Sequence, residues 1–229
     1  MQLIAMHGWA GDARGWGPFQ AAWTSRGWLW QCGDRGYGTH PPQSVAWLES
    51  GPRRVVIAHS LGLHLLPTAL LEQAEAVVLL ASFGRFVPEG NGGRRLRSAM
   101  AIMTNQLGGT LAEAEAMLHT FLERAAAPQS PSLLPPGINA APLGEAGRQR
   151  LTEDLALLAS TAGLPPSFPA HAKVLIVEGG EDQIVLPEAR QLLRAALPAA
   201  DTLVLAGIGH CLLSPALVPL VCSWIESLP

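Results

Sequence analysis

Five residues, Ala58-His59-Ser60-Leu61-Gly62, stand between an apolar run, Arg54 to Ala58, and a stretch that reads as a helix. Acyl transfer through a side-chain oxygen needs a nucleophile on a sharp strand-to-helix turn, with small neighbours so that the strained backbone can close. Ser60 in that place exposes its hydroxyl and aims the Leu61 amide at the oxygen that becomes negative during attack. The usual form of the turn is Gly-x-Ser-x-Gly. Ala58 replaces the first glycine and is still small. Alone, the same residues also describe a serine that caps an ordinary helix.

Three further pieces give the serine its context. Val177-Glu178-Gly179-Gly180-Glu181-Asp182 reads as a strand followed by a turn that carries an acid, and Ala206-Gly207-Ile208-Gly209-His210 is a loop just past another strand. Serine, acid, histidine is the chain order of one large class of serine hydrolases. Both loops leave the carboxyl ends of strands, the edge on which open α/β sheets build their sites. His210 is thus the candidate base, and Asp182 the carboxylate that would fix its tautomer and stabilise the imidazolium. Glu181 is the alternative acid, although Asp182 is better placed after the Gly-Gly turn. The fourth piece is His7-Gly8-Trp9, after the first apolar run. It offers the Trp9 amide as a second oxyanion donor beside that of Leu61, with the Trp9 side chain as a wall of the acyl pocket. The alternative is a structural turn around a buried tryptophan.

The other histidines fit less well. His59 adjoins Ser60, and neighbours at a sharp turn point in different directions. His64 lies on the helix behind it, where local packing or hydrogen bonding accounts for it. His40, His119 and His171 have no metal-ligand spacing and no HExxH occurs, so neither a metal nor another cofactor is expected. Cys211 reads as a small packing residue.

Short apolar runs alternating with amphipathic stretches and Gly/Pro breaks predict an α/β domain with a mostly parallel sheet. Strands are expected at Leu3 to Met6, Trp28 to Cys32, Arg54 to Ala58, Ala76 to Ala81, Lys173 to Val177 and Thr202 to Leu205. Helices are expected at Trp16 to Ser25, Gln43 to Glu49, from His59 through Leu71, Pro187 to Ala196 and Leu217 to Ser227. Residues 83–168 break the alternation: they lack strand runs and predict helices at Leu107 to Arg124 and Glu145 to Ala159, around an irregular Pro-rich stretch. The expected organisation is a core of residues 1–82 and 169–229 and a helical lid of residues 83–168.

The bulk properties agree with one compact domain. The 229 residues are 48% hydrophobic and 14% charged, enough apolar content for a sizeable core. A formal net charge of −3 calls for no nucleic-acid partner. Three cysteines without paired spacing argue against a disulfide framework and suit a reducing cytoplasm. No apolar run is long enough to cross a membrane, and the N-terminus has no signal-peptide pattern.

The blocks HGWAGD, AHSLG, GGEDQIV and GIGH resemble the signatures of the α/β-hydrolase superfamily, and the resemblance covers the chain outside residues 85–168. HGW and the compact helical insertion most resemble the carboxylesterases of biotin synthesis, which hydrolyse pimeloyl-acyl-carrier-protein methyl ester. That resemblance implies Ser60, Asp182 and His210 as triad and the Trp9 and Leu61 amides as oxyanion donors. Two features depart from it. The antiparallel strands that commonly open the fold have no counterpart, which implies a shortened edge of the sheet. The loop after the second strand reads CGDRGYGTHPP in place of D-x-P-G-x-G-x-S.

The lid is expected over Ser60. Its apolar residues, Phe121 among them, are candidates for an acyl tunnel, although for most of them the lid's own core is the plainer reading. Ser82 and Phe83, directly after a strand, are pocket candidates by position. Arg94, Arg95 and Arg97 form the densest basic cluster, either solvated surface charge or a steering patch for an acidic acyl carrier protein. The expected activity is hydrolysis of an acyl ester through an acyl-enzyme on Ser60. The same fold hosts acyltransferases, C–C hydrolases and lyases. A binding module that reuses the fold is a third reading and predicts a broken triad.

Overall fold

A computed structural model describes residues 1–48 and 53–228. Among these residues six strands form one sheet, β1 (Gln2–Met6), β2 (Leu29–Gly33), β3 (Arg54–His59), β4 (Ala76–Leu80), β5 (Lys173–Gly179) and β6 (Asp201–Leu205), in the order β2-β1-β3-β4-β5-β6. Every neighbouring pair is parallel. The four inner strands are mostly Val, Ile, Leu and Ala, with the other residues near their ends, because helices cover both faces and neither can carry the polar half of an alternating pattern.

Helices α1 (Gly17–Ser25) and α8 (Leu217–Glu226) cover one face, where Trp16, Phe19 and Trp23 pack with Val55, Ile57, Val221 and Ile225. On the other face lie α2 (Gly62–Leu65), α3 (Thr68–Leu71) and α7 (Pro187–Ala196). The single helix expected after Ser60 is two short ones. Leu66 takes ψ 141°, the extended conformation imposed on a residue that precedes proline, here Pro67.

Between β4 and β5 run α4 (Gly90–Gly108), α5 (Leu111–Ala126) and α6 (Glu145–Ser160). The helix expected from Leu107 to Arg124 instead begins at Leu111. Thr110 caps it, accepting from the Glu113 amide while the Glu113 side chain accepts from the Thr110 amide. Leu107 belongs to the end of α4, a helix not among those expected, in which glycines, poor helix formers, occupy three of the first four positions. The Pro-rich stretch that follows α5 holds only two short 3₁₀ turns, Pro131–Leu133 and Ile138–Ala140. The helix expected at Gln43 to Glu49 does not form over its described part. Gln43 makes an antiparallel bridge to Asp34, and residues 44–48 are irregular; Glu49 lies outside the described residues.

The register places the site. Met6 stands opposite both Gly33 and Ala58, His59 opposite Leu80, and Leu80 opposite Val177. The strands therefore end nearly level, and the loops at 7–9, 34–37, 60–62, 81–83 and 180–185 emerge along one edge.

Candidate active site

Ser60 leaves β3 at φ +53°, a left-handed conformation that costs a non-glycine residue about 1–3 kcal/mol and persists only where the surroundings over-determine it. They do so here. The Ser60 amide donates to Leu80 O at 2.9 Å, and its carbonyl accepts from the Ser82 hydroxyl at 2.7 Å. Gly62 packs so closely on the end of β1 that a Cβ there would overlap Met6 O. Ala10, Ala81 and Leu212, in three neighbouring loops, also take positive φ.

Asp182 and His210 meet directly. His210 Nδ1–H donates to Asp182 Oδ2 at 2.9 Å, which leaves Nε2 as the basic nitrogen. The other carboxylate oxygen accepts from the amides of Ile184 (2.8 Å) and Val185 (3.0 Å). Burial alone would raise the Asp182 carboxyl, but His210 and those two amides together hold it below its ordinary value. Glu181, the alternative acid, is exposed.

Gly8 lies against Ser60: a Cβ on it would stand 2.7 Å from Ser60 Cβ and 3.2 Å from Oγ. The orientation of the Gly8–Trp9 peptide is imposed by its carbonyl, which accepts from His7 Nδ1–H at 2.8 Å and from the Gly11 amide at 3.1 Å. In a trans peptide the C=O and the following N–H point in opposite directions, so the Trp9 N–H is turned away from both donors. Neither Trp9 N–H nor Leu61 N–H has an acceptor among the described residues. Two amides without an acceptor thus lie beside a left-handed serine. The Ser60 hydroxyl itself makes no hydrogen bond among the described residues.

Two sets of residues at this edge escaped the sequence reading. The first is His59, set aside as a neighbour pointing elsewhere. Its Nε2–H donates to the His210 carbonyl at 3.0 Å, and the two rings lie 5.0 Å apart. Burial, and secondarily the charge His210 can carry, push the His59 imidazole down to about 4. His59 is therefore a neutral donor that anchors the backbone of His210.

The second set joins the 7–9 loop to α6. His7 Nε2 accepts from the Arg35 amide at 3.1 Å, which fixes the Nδ1–H tautomer used on Gly8. Arg35 then grips Asp154 of α6 with two bonds, 2.7 and 2.8 Å, and Tyr37 Oη donates to the same carboxylate at 2.6 Å. Trp9 Nε1–H donates to Leu151 O at 2.8 Å, again on α6. The unusual loop Cys32-Gly33-Asp34-Arg35-Gly36-Tyr37 thus acquires a structural reason. One signal was legible: Asp154 interrupts the buried stripe of Leu151, Leu155 and Leu158, and an acid on an apolar helix face must find a partner.

Of the expected substrate contacts, Trp9 and Phe121 line a cavity of about 940 Å³ that reaches His210, their rings edge to face at 4.8 Å. Ser82 and Phe83 do not line it. Ser82 is spent on the Ser60 carbonyl, and Phe83 is fully buried between His64 and Phe86. His64 donates to Phe83 O at 3.0 Å, a local role. Arg94, Arg95 and Arg97 are exposed on α4. Among the described residues no three His, Cys, Asp or Glu side chains converge to hold a metal, and no helix is long and apolar enough to cross a membrane.

No family model matches this chain, and no curated protein matches it in sequence. Solved structures do match, over nearly its whole length. An esterase from Exiguobacterium antarcticum superposes with TM-score 0.76 at 14% identity, covering 99% of this chain and 92% of its own. An esterase from Thermogutta terrifontis gives 0.69 at 14%, covering 99% and 89%. The enol-lactonase from Burkholderia xenovorans LB400 gives 0.68 at 17%, covering 99% and 91%. The fold is that of the α/β-hydrolases.

Proposed function

We propose that this chain, an α/β-hydrolase in fold, is a serine ester hydrolase. The observation that carries the reading is the Asp182–His210 hydrogen bond at 2.9 Å, on the sheet edge that also presents a left-handed Ser60 and the unpaired amides of Trp9 and Leu61. Ser60 Oγ attacks the ester carbonyl as its proton passes to His210 Nε2, and Asp182 stabilises the imidazolium. The carbonyl oxygen, now negative, takes hydrogen bonds from the two amides. Collapse of the tetrahedral intermediate breaks the bond to the alkoxide, which leaves as the alcohol with the proton from His210. A water deprotonated by His210 then releases the acid and restores Ser60.

Hydrolysis of p-nitrophenyl acetate by the wild type and by Ser60→Ala tests the mechanism. Release of p-nitrophenol by the wild type and its loss in the variant are expected. Activity that survives in Ser60→Ala removes Ser60 as nucleophile.

For the physiological ester we propose the methyl ester of a pimeloyl chain on an acyl carrier protein. The support is the likeness of the HGW loop and helical lid to carboxylesterases of biotin synthesis, together with three exposed arginines on α4 that suit an acidic carrier. Complementation of a biotin auxotroph that lacks its pimeloyl ester esterase tests it. Failure to restore growth, with esterase activity intact, rejects this substrate and keeps the chemistry.

A further inference from the structure

His210 stands at the end of a loop that has little of its own to hold it. Residues 206–209 are Ala, Gly, Ile and Gly, with no polar side chain among them, and Gly207 takes φ +70°. Such a loop is fixed chiefly through its backbone. The strand ends supply one set of partners. Ile208 O accepts from the Glu181 amide at 2.9 Å, and His210 O accepts from His59 Nε2–H at 3.0 Å.

The other set comes from the end of α5 and the residues just after it. Gln129 Nε2–H donates to Gly207 O at 2.7 Å, and Gln129 Oε1 accepts from the Gly209 amide at 3.1 Å, across 78 and 80 residues of sequence. The Cys211 amide donates to Ala125 O at 3.0 Å. Residues 208 and 210 are thus bonded to the strand ends, whereas 207, 209 and 211 are bonded to the segment 125–129. The loop is also pressed between the two. A Cβ on Gly179 of β5 would overlap Gly209 O, and a Cβ on Gly209 would overlap Ala127 O.

A carboxamide suits this place because it carries a donor and an acceptor side by side, matching the carbonyl of 207 and the amide of 209. Its two bonds lie near the surface and are neutral, so the fold gains little from them. Their position matters more. His210 is buried and has to reach first the Ser60 hydroxyl and then the leaving oxygen, and a shift of about 1 Å at such a group costs up to about 10²-fold in rate.

We infer that Gln129 is a positioning residue for His210: its carboxamide, reaching in from the end of α5, fixes the loop that presents the imidazole to Ser60. The inference rests on the serine ester hydrolase reading and adds to it a residue from outside the sheet. Asp182 orients the ring, His59 holds the His210 carbonyl, and Gln129 sets where the loop stands.

The experiment compares two acetates, p-nitrophenyl and ethyl, on the full chain, read as kcat/KM. Attack on either requires His210 to take the Ser60 proton. p-Nitrophenoxide then leaves as a stable anion, whereas ethoxide must take a proton from His210 as it goes. A displaced imidazole therefore fails once on the aryl ester and twice on the ethyl ester. Gln129→Met keeps the length of the side chain and removes both bonds. It should lower kcat/KM for both acetates, and about tenfold further for ethyl acetate. Partial loss of folded enzyme lowers both alike and leaves their ratio unchanged. Asp154→Asn, which loosens α6 beside the 7–9 loop, should lower both equally, because the carbonyl oxygen becomes negative with either ester.

Equal falls in Gln129→Met, or none, overturn the inference. So does the same selective fall in Asp154→Asn, since the ratio would then report general loosening. Ser60→Ala on both acetates separates the two levels. With that variant silent, equal falls defeat the role of Gln129 alone. If it keeps activity, the serine mechanism fails and the role of Gln129 fails with it.

Discussion

Arg35 donates from Nε and Nη2 to the two oxygens of Asp154, at 2.7 and 2.8 Å, across 119 residues of sequence. The pair fastens the loop after β2 to α6. Because the Arg35 amide also fixes the tautomer of His7, the pair reaches the Gly8–Trp9 peptide that faces Ser60. Helix α6 therefore helps to hold the loop at 7–9.

Asp154→Asn should weaken both the fold and the site. The substitution leaves Arg35 without its counter-charge in a buried setting, although Arg35 itself is partly exposed, and a loss of about 2 kcal/mol is expected. For a chain of this size that lowers Tm by roughly 4–8 °C. In the residual folded enzyme kcat should fall more than KM rises, because the loop serves the transition state more than the ground state. Unchanged melting would show that the pair contributes nothing net.

His59 offers a donor test and a pH test. His59→Leu leaves the His210 carbonyl without its partner and should lower kcat about tenfold, whereas His59→Gln retains an N–H donor and should recover part of the loss. The imidazole sits near 4 in the folded chain against an ordinary value of 6.5. The unfolded chain therefore takes up the proton first, and stability is lost as pH falls through that interval, by roughly 2 kcal/mol at pH 5. His59→Gln should remove this slope in melting experiments. Asp182, whose folded value lies below the ordinary 3.8, stabilises the fold above that value and loses its contribution only in stronger acid. The two windows are separable.

Gly8→Ala tests how closely the 7–9 loop, proposed to carry an oxyanion donor, must approach Ser60. The new methyl would meet Ser60 Cβ at 2.7 Å and the His59 carbonyl at 3.0 Å, so the loop must move away from the nucleophile. A fall of roughly 10²-fold in kcat is expected, the size associated with loss of one oxyanion donor. Far-UV circular dichroism should remain that of the wild type.

Replacement of Arg94, Arg95 and Arg97 together by alanine should slow turnover of carrier-bound esters and spare short soluble ones, since all three are exposed on α4 and none lines the cavity that reaches His210. The effect should fade as salt is raised, because steering is screened. Equal loss on both kinds of ester would reject steering.

What the sequence determined by itself was local. A serine between an apolar run and small residues, an acid after a Gly-Gly turn and a histidine after a Gly-rich turn are each defined within a few residues, because strand ends and tight turns depend on nearby side chains. Level strand ends then bring these pieces to one edge, which the α/β alternation already implied. Tertiary structure decided the rest. Pro67 split a helix that periodicity ran straight through. Gln43 followed its bridge to Asp34 in place of a helix. The partners of His59, His7 and Arg35 lie 151, 28 and 119 residues away, and no local pattern encodes such distances. The cavity that reaches His210 is likewise tertiary, since its walls come from α1, α5, the 131–140 stretch and α8. Thus Ser60, Asp182 and His210 were legible as candidates in the chain, whereas what supports them and what they would receive follows from packing between distant segments.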